Sequence, residues 1–213
     1  MTTNVYDNAI LYNSMIGFDD KDELSYNADK IDLEEMKSFD PRNIVVGISS
    51  NVLKDSLITI ALNDLEITGI SNAIYNPENY SLPSFRSILT SDMKRDLPKY
   101  ISDYANEDIQ FYNVKDIVEF NNKDTLTHAP YGQYIFNEIK EDKVSDSELV
   151  QMKINTKSQA SNYLNKIMTI NDFDIFISVD NSMAGIAAAA HFPALTIPMG
   201  YRSDGQPSNI TFI

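Results

Sequence analysis

The chain has 213 residues, of which 43% are hydrophobic and 23% are charged, and these values are typical of a globular protein rather than of a disordered chain. This length suits one domain with a buried core, so we expect a single domain over residues 1–213. The formal net charge is −14, and no basic patch offsets it. A nucleic-acid partner is therefore not expected, because its phosphates would be repelled.

The composition leaves few groups for disulfides or metal binding. The sequence has no cysteine and only two histidines, His128 and His191, and neither has a metal-ligand partner at helical spacing. We interpret both histidines as structural residues. The sequence accordingly predicts neither a metal site nor any other cofactor.

Neither the amino terminus nor the longest uncharged stretch has the character of a targeting or membrane segment. Residues 1–7 lack the basic and then apolar plan of a signal peptide. Residues 181–201 carry no charge, but Pro193 and Pro198 would break a spanning helix. We expect a cytoplasmic protein without a membrane partner.

The first third of the chain predicts a helix, a strand, a helix and a second strand. Residues 3–15 have helical periodicity, with Thr3 or Asn4 as the cap and Gly17 at the end. The expected apolar face of this helix comprises Val5, Ala9, Ile10 and Leu11. Residues 43–48 predict a buried strand, a helix is expected from about Leu53, and residues 71–75 predict a weaker strand.

The middle of the chain predicts three helices joined by loops. Residues 77–83 form a proline-bounded loop, and residues 87–104 have helical spacing that Pro98 is expected to kink or restart. Residues 114–120 suit a short helix capped by Asn113, and residues 145–170 suit a long one.

The last 40 residues predict a strand, a small-residue helix and two further strands. The strands at residues 174–179 and 194–197 are apolar enough to be buried on both faces, and residues 184–190 form the helix between them. A turn at Asp204-Gly205 precedes the last strand, at residues 208–213. The fold class is therefore α/β.

Four segments resemble, in order, the carboxyl-terminal part of amidase-signature enzymes. The most specific is the proline-bounded strand Phe192-Pro-Ala-Leu-Thr-Ile-Pro-Met-Gly-Tyr201 with the turn and strand after it. Residues 3–22, residues 114–121 and the turn Tyr131-Gly-Gln133 match earlier parts of the family in the same order. The resemblance implies a mixed central sheet flanked by helices.

The resemblance also implies a reaction and the place of its catalytic residues. The family cleaves carbon–nitrogen bonds of small-molecule amides with a serine nucleophile, a second serine in a cis peptide and a lysine. In family members the lysine and the glycine- and serine-rich loop precede the helix that residues 3–15 match, so no catalytic residue is expected in this chain. In agreement, none of the seven glycines is followed by glycine or serine.

We therefore expect a partial domain, the carboxyl-terminal fragment of an amidase that is inactive alone. The alternative is a non-enzymatic product of a truncated or split gene that binds a partner chain. A fragment would leave sheet edges and core surface uncovered, which favours self-association.

Two local patterns imitate serine–lysine chemistry. Ser91 and Lys94 have a Ser-x-x-Lys spacing, but Lys94, Arg95 and Lys99 are interpreted as a solvated face and Ser91 as a helix cap. Ser49 and Ser50, with Lys54, follow an apolar strand, but the second glycine of a nucleophile elbow is missing, so helix capping is again the interpretation.

The remaining polar motif of interest is the loop Asp180-Asn181-Ser182. It follows the carboxyl end of a predicted strand, where open α/β sheets bind ligands, although capping of the next helix is the simpler explanation. The resemblance implies that this loop and the turn carrying Tyr131 and Gln133 border the substrate pocket. The acidic segment at residues 19–23 lacks the glycine of a calcium loop and is interpreted as a solvated turn.

Overall fold

The computed structural model describes residues 2–22 and 24–213, which form two compact units. The sheet unit comprises the residues up to Glu78 together with Asn165–Ala184 and Pro193–Ile213. The helical unit comprises Asn79–Leu164 and Gly185–Phe192.

The described part of the chain contains five strands and nine α-helices. The strands are β1 (Val45–Ser49), β2 (Ser71–Tyr75), β3 (Ile175–Val179), β4 (Leu195–Tyr201) and β5 (Pro207–Phe212). The helices are α1 (Val5–Met15), α2 (Leu33–Ser38), α3 (Ser56–Ile67), α4 (Phe85–Tyr104), α5 (Val114–Lys123), α6 (Thr125–His128), α7 (Tyr134–Glu141), α8 (Asp146–Asn171) and α9 (Ala184–Ala190). The predicted α/β class is confirmed.

The five strands form one mixed sheet in the order β2-β1-β3-β5-β4. The strand β1 runs parallel to both β2 and β3, whereas β5 pairs antiparallel with β3 and with β4. The predicted turn at Asp204-Gly205 joins β4 to β5, and this hairpin inserts β5 between β3 and β4.

The position of β4 corrects one prediction. This strand was expected to be buried on both faces, but it lies at the edge of the described sheet, and Thr196 and Pro198 are exposed. Its counterpart β3 is buried as predicted, with Phe176 and Ile177 at its centre. The apolar sequence of each strand therefore did not distinguish the central strand β3 from β4, which is the edge strand of the last hairpin.

One face of the sheet packs against α3. Ile48, Ile177 and Ile210 come from three neighbouring strands and bury their side chains against Ile58 of the helix. The helix begins at Ser56 rather than near Leu53, because Asp55 caps it by accepting a hydrogen bond from the Leu57 amide.

Gly47 gives β1 a close approach to an aromatic ring. A Cβ at this position would lie 2.2 Å from Cδ2 of Phe173, which is far inside van der Waals contact. The ring of Phe173 in turn packs against Tyr75 with a centroid distance of 5.7 Å. Gly47 therefore makes room for a core side chain.

Two predicted helices differ in detail from expectation. Asn4 is the cap of α1, but only Ala9 of the predicted apolar face is buried, while Val5, Ile10 and Leu11 are 37–42% exposed. In α4 the helix runs through Pro98 without a break. Proline removes one intrahelical hydrogen bond, that to the Lys94 carbonyl, and the remaining bonds maintain the helix.

The helical unit has its own small core. Val114 and Val118 of α5 pack with Ile139 of α7, and Leu97 and Phe136 lie against them. Asn113 caps α5 as predicted, through hydrogen bonds from the amides of Lys115 and Asp116.

Candidate functional site

The loop after β3 is fastened to β5 by four hydrogen bonds. Asp180 adopts a left-handed backbone conformation with φ of 52°. Its backbone amide donates to the Asn209 carbonyl (2.8 Å), and its carbonyl accepts from the Thr211 hydroxyl (2.7 Å). Its carboxylate accepts from the Asn209 amide (2.8 Å) and the Ser208 hydroxyl (3.3 Å). The loop is therefore rigidly positioned at the carboxyl end of β3.

Arg202 connects this loop to the start of α3. Its guanidinium donates to the carboxylates of Asp55 (2.7 Å) and Asp180 (3.5 Å) and to the Ser208 hydroxyl (2.9 Å). The hydrogen bond from Arg202 lowers the pKa of Asp55, and it outweighs the opposite effect of burial. We call Arg202, Asp55, Asp180 and Ser208 the Arg202 cluster.

An open cleft of about 440 Å³ lies beside the Asp180 loop within the sheet unit. Its polar wall is contributed by the Asp180 loop, β4, β5 and the turn between them, through Asp180, Asn181, Thr196, Gln206, Asn209 and Thr211. Three small apolar residues complete the wall, namely Ala184, Ala194 and Pro207. A cleft of this size accommodates a small polar molecule.

The residues that line the cleft include two threonines whose hydroxyl groups are hydrogen-bonded in a chain. Thr196 of β4 and Thr211 of β5 are register partners, and their Oγ1 atoms are 2.8 Å apart. Since the Thr211 hydroxyl donates its single proton to the Asp180 carbonyl, the proton between the two threonines belongs to Thr196.

The structure brings only part of the predicted binding residues to this cleft. Asp180 and Asn181 line it, whereas Ser182 is exposed, does not line the cleft and donates its amide to the Val179 carbonyl (3.2 Å). The Asp180 carboxylate is occupied by the Arg202 cluster.

Tyr131 and Gln133 belong to the helical unit and do not line the cleft. The Tyr131 side chain is 99% exposed. The Gln133 amide group exchanges hydrogen bonds with Asn121 (3.0 Å) and Asn122 (2.7 Å) of α5, so it holds the turn before α7 in place.

The Ser91 and Lys94 pair is part of a structural cluster, which corrects the prediction that Ser91 is a cap and Lys94 a solvated residue. Ser91 lies inside α4, is fully buried and donates to the Asp142 carboxylate (3.0 Å). The Lys94 ammonium donates to the carbonyls of Lys140 (3.1 Å) and Asp142 (2.6 Å).

Arg95 completes this cluster, although it too was predicted to face water. Its guanidinium donates to the Ser91 and Val144 carbonyls (2.9 and 2.7 Å) and to the Asp146 carboxylate (2.8 Å). Lys99 is exposed as predicted. We call Ser91, Lys94, Arg95 and Asp142 the Ser91 cluster, and it fastens the segment between α7 and α8 to α4.

The segment with Ser49, Ser50 and Lys54, which resembles a nucleophile elbow in sequence, also has a structural role. The Ser49 hydroxyl accepts a hydrogen bond from the Asn51 amide (3.2 Å) and caps a short 3₁₀ helix, Ser50–Val52, while Lys54 is exposed. The capping interpretation is confirmed for Ser49. Ser50 is instead the first residue of that helix.

The acidic turn satisfies its own hydrogen bonds. Asp19 and Asp22 accept from backbone amides at Lys21 and Leu24, and the Ser25 hydroxyl bridges their carbonyls. Glu23, the last member of the predicted acidic segment, lies outside the described residues. Across the described residues, no three histidine, aspartate or glutamate side chains gather in a way that could hold a metal ion.

The two histidines make contacts inside the helical unit. The His128 ring stacks on Phe120 at 4.2 Å, with Nδ1 3.1 Å from the Phe120 carbonyl oxygen. His191 Nδ1 lies 3.2 Å from the Lys157 ammonium.

None of the helices in residues 2–22 and 24–213 combines the length and apolar character needed to cross a membrane.

Sequence reasoning missed Arg202, Gln206, Asn209 and the two threonines of the cleft. A usable signal was the alternation in the last two strands, where Thr196 lies between Leu195 and Ile197, and Thr211 lies between Ile210 and Phe212. In a strand this alternation places the isoleucines on one face and the threonines on the other.

Three solved structures share this arrangement over 98% of the chain. An amidase family protein from Bacillus anthracis str. Ames superposes with a TM-score of 0.85 at 22% identity, and the chain covers 43% of it. PAM12A gives a TM-score of 0.82 at 20% identity, with 48% covered. The peptide amidase PAM, in complex with the competitive inhibitor chymostatin, gives 0.79 at 19% identity, with 48% covered.

The chain thus spans somewhat less than half the length of these proteins. No family model matches the sequence, and no curated protein matches it. The likeness of structure defines the class of fold: the mixed sheet and its flanking helices are part of the amidase-signature fold.

Proposed function

We propose that this chain provides the carboxyl-terminal half of an amide hydrolase of the amidase type. The observation that carries the proposal is the superposition of nearly the whole chain on somewhat less than half of each of two amidases. In this proposal the sheet unit supplies central strands and the cleft at Asp180 and Asn181 forms part of the substrate pocket wall.

The second half of the proposal is that the nucleophile and its base lie in sequence that corresponds to the other half of those amidases. A serine becomes a nucleophile when a nearby base takes its proton, and a lysine can be that base only when it is neutral. The Lys94 side chain donates hydrogen bonds to two backbone carbonyls, and Ser91 donates to a carboxylate. These contacts support a structural role for both residues.

The test is an amide hydrolysis assay on the purified 213-residue chain. Ammonia release is measured with small primary amides and with peptides that end in a carboxamide. The proposal predicts no release above the uncatalysed rate. Release that persists in a Ser50→Ala/Ser91→Ala double variant would overturn the proposal, since it would require catalytic groups that the proposal places elsewhere.

A non-enzymatic product of a split gene that binds a partner chain is the second candidate. The exposed edge strand β4 is the observation that favours it, since an edge strand presents unpaired backbone groups to another chain. Sequencing upstream of the Met1 codon separates the two candidates. A reading frame that continues upstream into a glycine- and serine-rich segment supports the hydrolase half, and a stop codon there supports the split gene.

A further inference from the structure

We propose that the exposed apolar face of α1 docks a basic helix, in which an apolar stripe runs between lysine or arginine side chains, and that this helix belongs to the other half of the hydrolase. The source of the helix rests on the proposed function, whereas its chemistry follows from the surface of α1. We call Leu11, Met15 and Phe18 the α1 stripe, and all three side chains are exposed.

The first observation is that α1 is held to its own unit by the opposite side. Ala9 is its buried residue, and the side chain of Asn13 exchanges two hydrogen bonds of 2.8 Å with the backbone of Ile31. Since successive helix residues are about 100° apart, Leu11 and Met15 point roughly 160° away from Asn13. They are 40% and 74% exposed, so the outward side of α1 is apolar.

The second observation is the negative charge that borders the α1 stripe. Residues 1–40 contain ten acidic residues and three lysines, which gives −7, half of the formal charge of −14 of the whole chain. Asp7 lies one turn before the stripe, Asp19 and Asp20 follow it directly, and all three are exposed. An apolar stripe with an acidic border is complementary to an apolar stripe with a basic border.

The charge also decides between a second copy of this chain and a different partner. Two copies that met through their α1 stripes would bring two segments of charge −7 together, and like charges across an interface oppose association. A basic helix instead gains from the same charges, both in the rate of encounter and in the complex. The surface therefore favours a partner of opposite charge.

The solved amidases indicate the source of this partner. The chain covers 43% of the amidase family protein and 48% of the peptide amidase, so more than half of each of those proteins has no counterpart in it. A contiguous group of exposed apolar side chains is expected where the rest of such a protein packs. The docking helix accordingly belongs to the half that the proposed function also credits with the nucleophile.

The experiment uses two synthetic peptides of about 18 residues, a length that allows an isolated helix to form. Both have leucines along one helix face, and the remaining positions are lysine in the basic peptide and glutamate in the acidic peptide. Each is titrated into the ¹⁵N-labelled chain at about pH 7, where lysine and glutamate are charged. We expect the basic peptide to shift the backbone amide signals of the α1 stripe and to bind about ten-fold more tightly than the acidic peptide.

A pair of serine substitutions tests the apolar part of the surface. Leu11→Ser/Met15→Ser should weaken binding of the basic peptide about five-fold, because the apolar contact is lost. The matched control is Val150→Ser/Ile154→Ser, which changes two exposed apolar residues at the same spacing on α8 and should have no effect.

A pair of amide substitutions tests the charged border. Asp19→Asn/Asp20→Asn keeps the oxygen that accepts the Lys21 amide and removes two charges, so binding of the basic peptide should weaken about three-fold. Glu107→Gln/Asp108→Asn removes two adjacent exposed charges in the helical unit and should leave binding unchanged.

Equal binding of the two peptides, signal shifts that lie outside α1, or equal effects of the two serine pairs would each overturn the docking surface. The source is tested by the sequence upstream of the Met1 codon, where we expect a basic amphipathic helix whose synthetic peptide displaces the leucine–lysine peptide. A reading frame that continues without such a helix would overturn the proposal. A stop codon there would contradict the proposed function and the source of the helix, and would leave the measured preference of α1 for a basic helix intact.

Discussion

The Arg202 cluster and the Ser91 cluster are both built from a cation, a carboxylate and a buried serine, yet they differ in what surrounds them. In the Ser91 cluster the two cations donate to carbonyls and carboxylates of their own unit, the Asp142 carboxylate accepts from Ser91, and the cluster closes a loop onto α4. The Arg202 cluster borders a cleft whose other polar groups still have hydrogen-bonding capacity. A saturated cluster stabilises a fold, whereas one beside unsaturated groups can also position a ligand site.

The largest effect that sharpens this comparison is expected for Arg202→Ala. The change leaves the carboxylates of Asp55 and Asp180 without their cation, so we expect the sheet unit to lose more stability than in any of the variants described below. Hydrogen exchange of the β5 backbone amides measures this loss locally.

The control for this variant is Arg42→Ala. Arg42 pairs with Asp40, but both side chains are at least half exposed, so we expect its removal to have little or no measurable effect on stability. Equal effects of the two substitutions would show that the Arg202 cluster has no special role in holding the sheet unit together.

A smaller effect is expected for Ser91→Ala. The loss of the hydrogen bond to Asp142 in a fully buried setting should cost about 1 kcal/mol, measured by urea unfolding. A variant with unchanged stability would contradict a structural role for the Ser91 cluster.

The smallest effect is expected for Asp55→Asn, and it should depend on pH. The Arg202 hydrogen bond lowers the pKa of Asp55 below its ordinary value of 3.8. A lowered carboxyl pKa contributes stability above the ordinary pKa, and this contribution is lost as the pH falls through the folded-state value. The wild-type chain should therefore exceed Asp55→Asn in stability at pH 6, and the difference should shrink as the pH falls below 3.8 and disappear below the lower folded-state pKa.

Urea unfolding of both chains between pH 2.5 and pH 7, roughly the range over which carboxyl groups titrate, measures this difference. A difference that stays constant down to the lowest pH would mean that the Asp55 carboxylate does not contribute through its charge.

Most helices and strands could be predicted from the sequence, but the order of the strands in the sheet could not. Periodicity identified β2 and α9 with the bounds that the structure has. Asn113 was identified as a cap from its residue type, and Asn4 was one of the two residues considered as the cap of α1. The insertion of β5 between β3 and β4 depends on strand pairing between distant residues. Hydrophobicity along one strand contains no information about its neighbours.

Of the candidate site, only the Asp180 loop could be predicted from the sequence. Asp180 and Asn181 were found because ligands bind at the carboxyl ends of strands, which is a local rule. Arg202 was missed because its partners Asp55 and Asp180 are 147 and 22 residues away in sequence. The role of Gly47 was missed because it depends on the ring of Phe173, which a local pattern does not reveal.

Labelling of the purified chain with a fluorophosphonate probe, which reacts with activated serine nucleophiles, tests whether the nucleophile lies outside this chain. Intact mass spectrometry gives the extent of labelling, and digestion identifies the serine. We expect no labelled serine, because Ser91 donates to Asp142 and Ser49 caps a helix. Stoichiometric labelling of any serine, lost when that serine is changed to alanine, would contradict the claim that the nucleophile lies outside this chain.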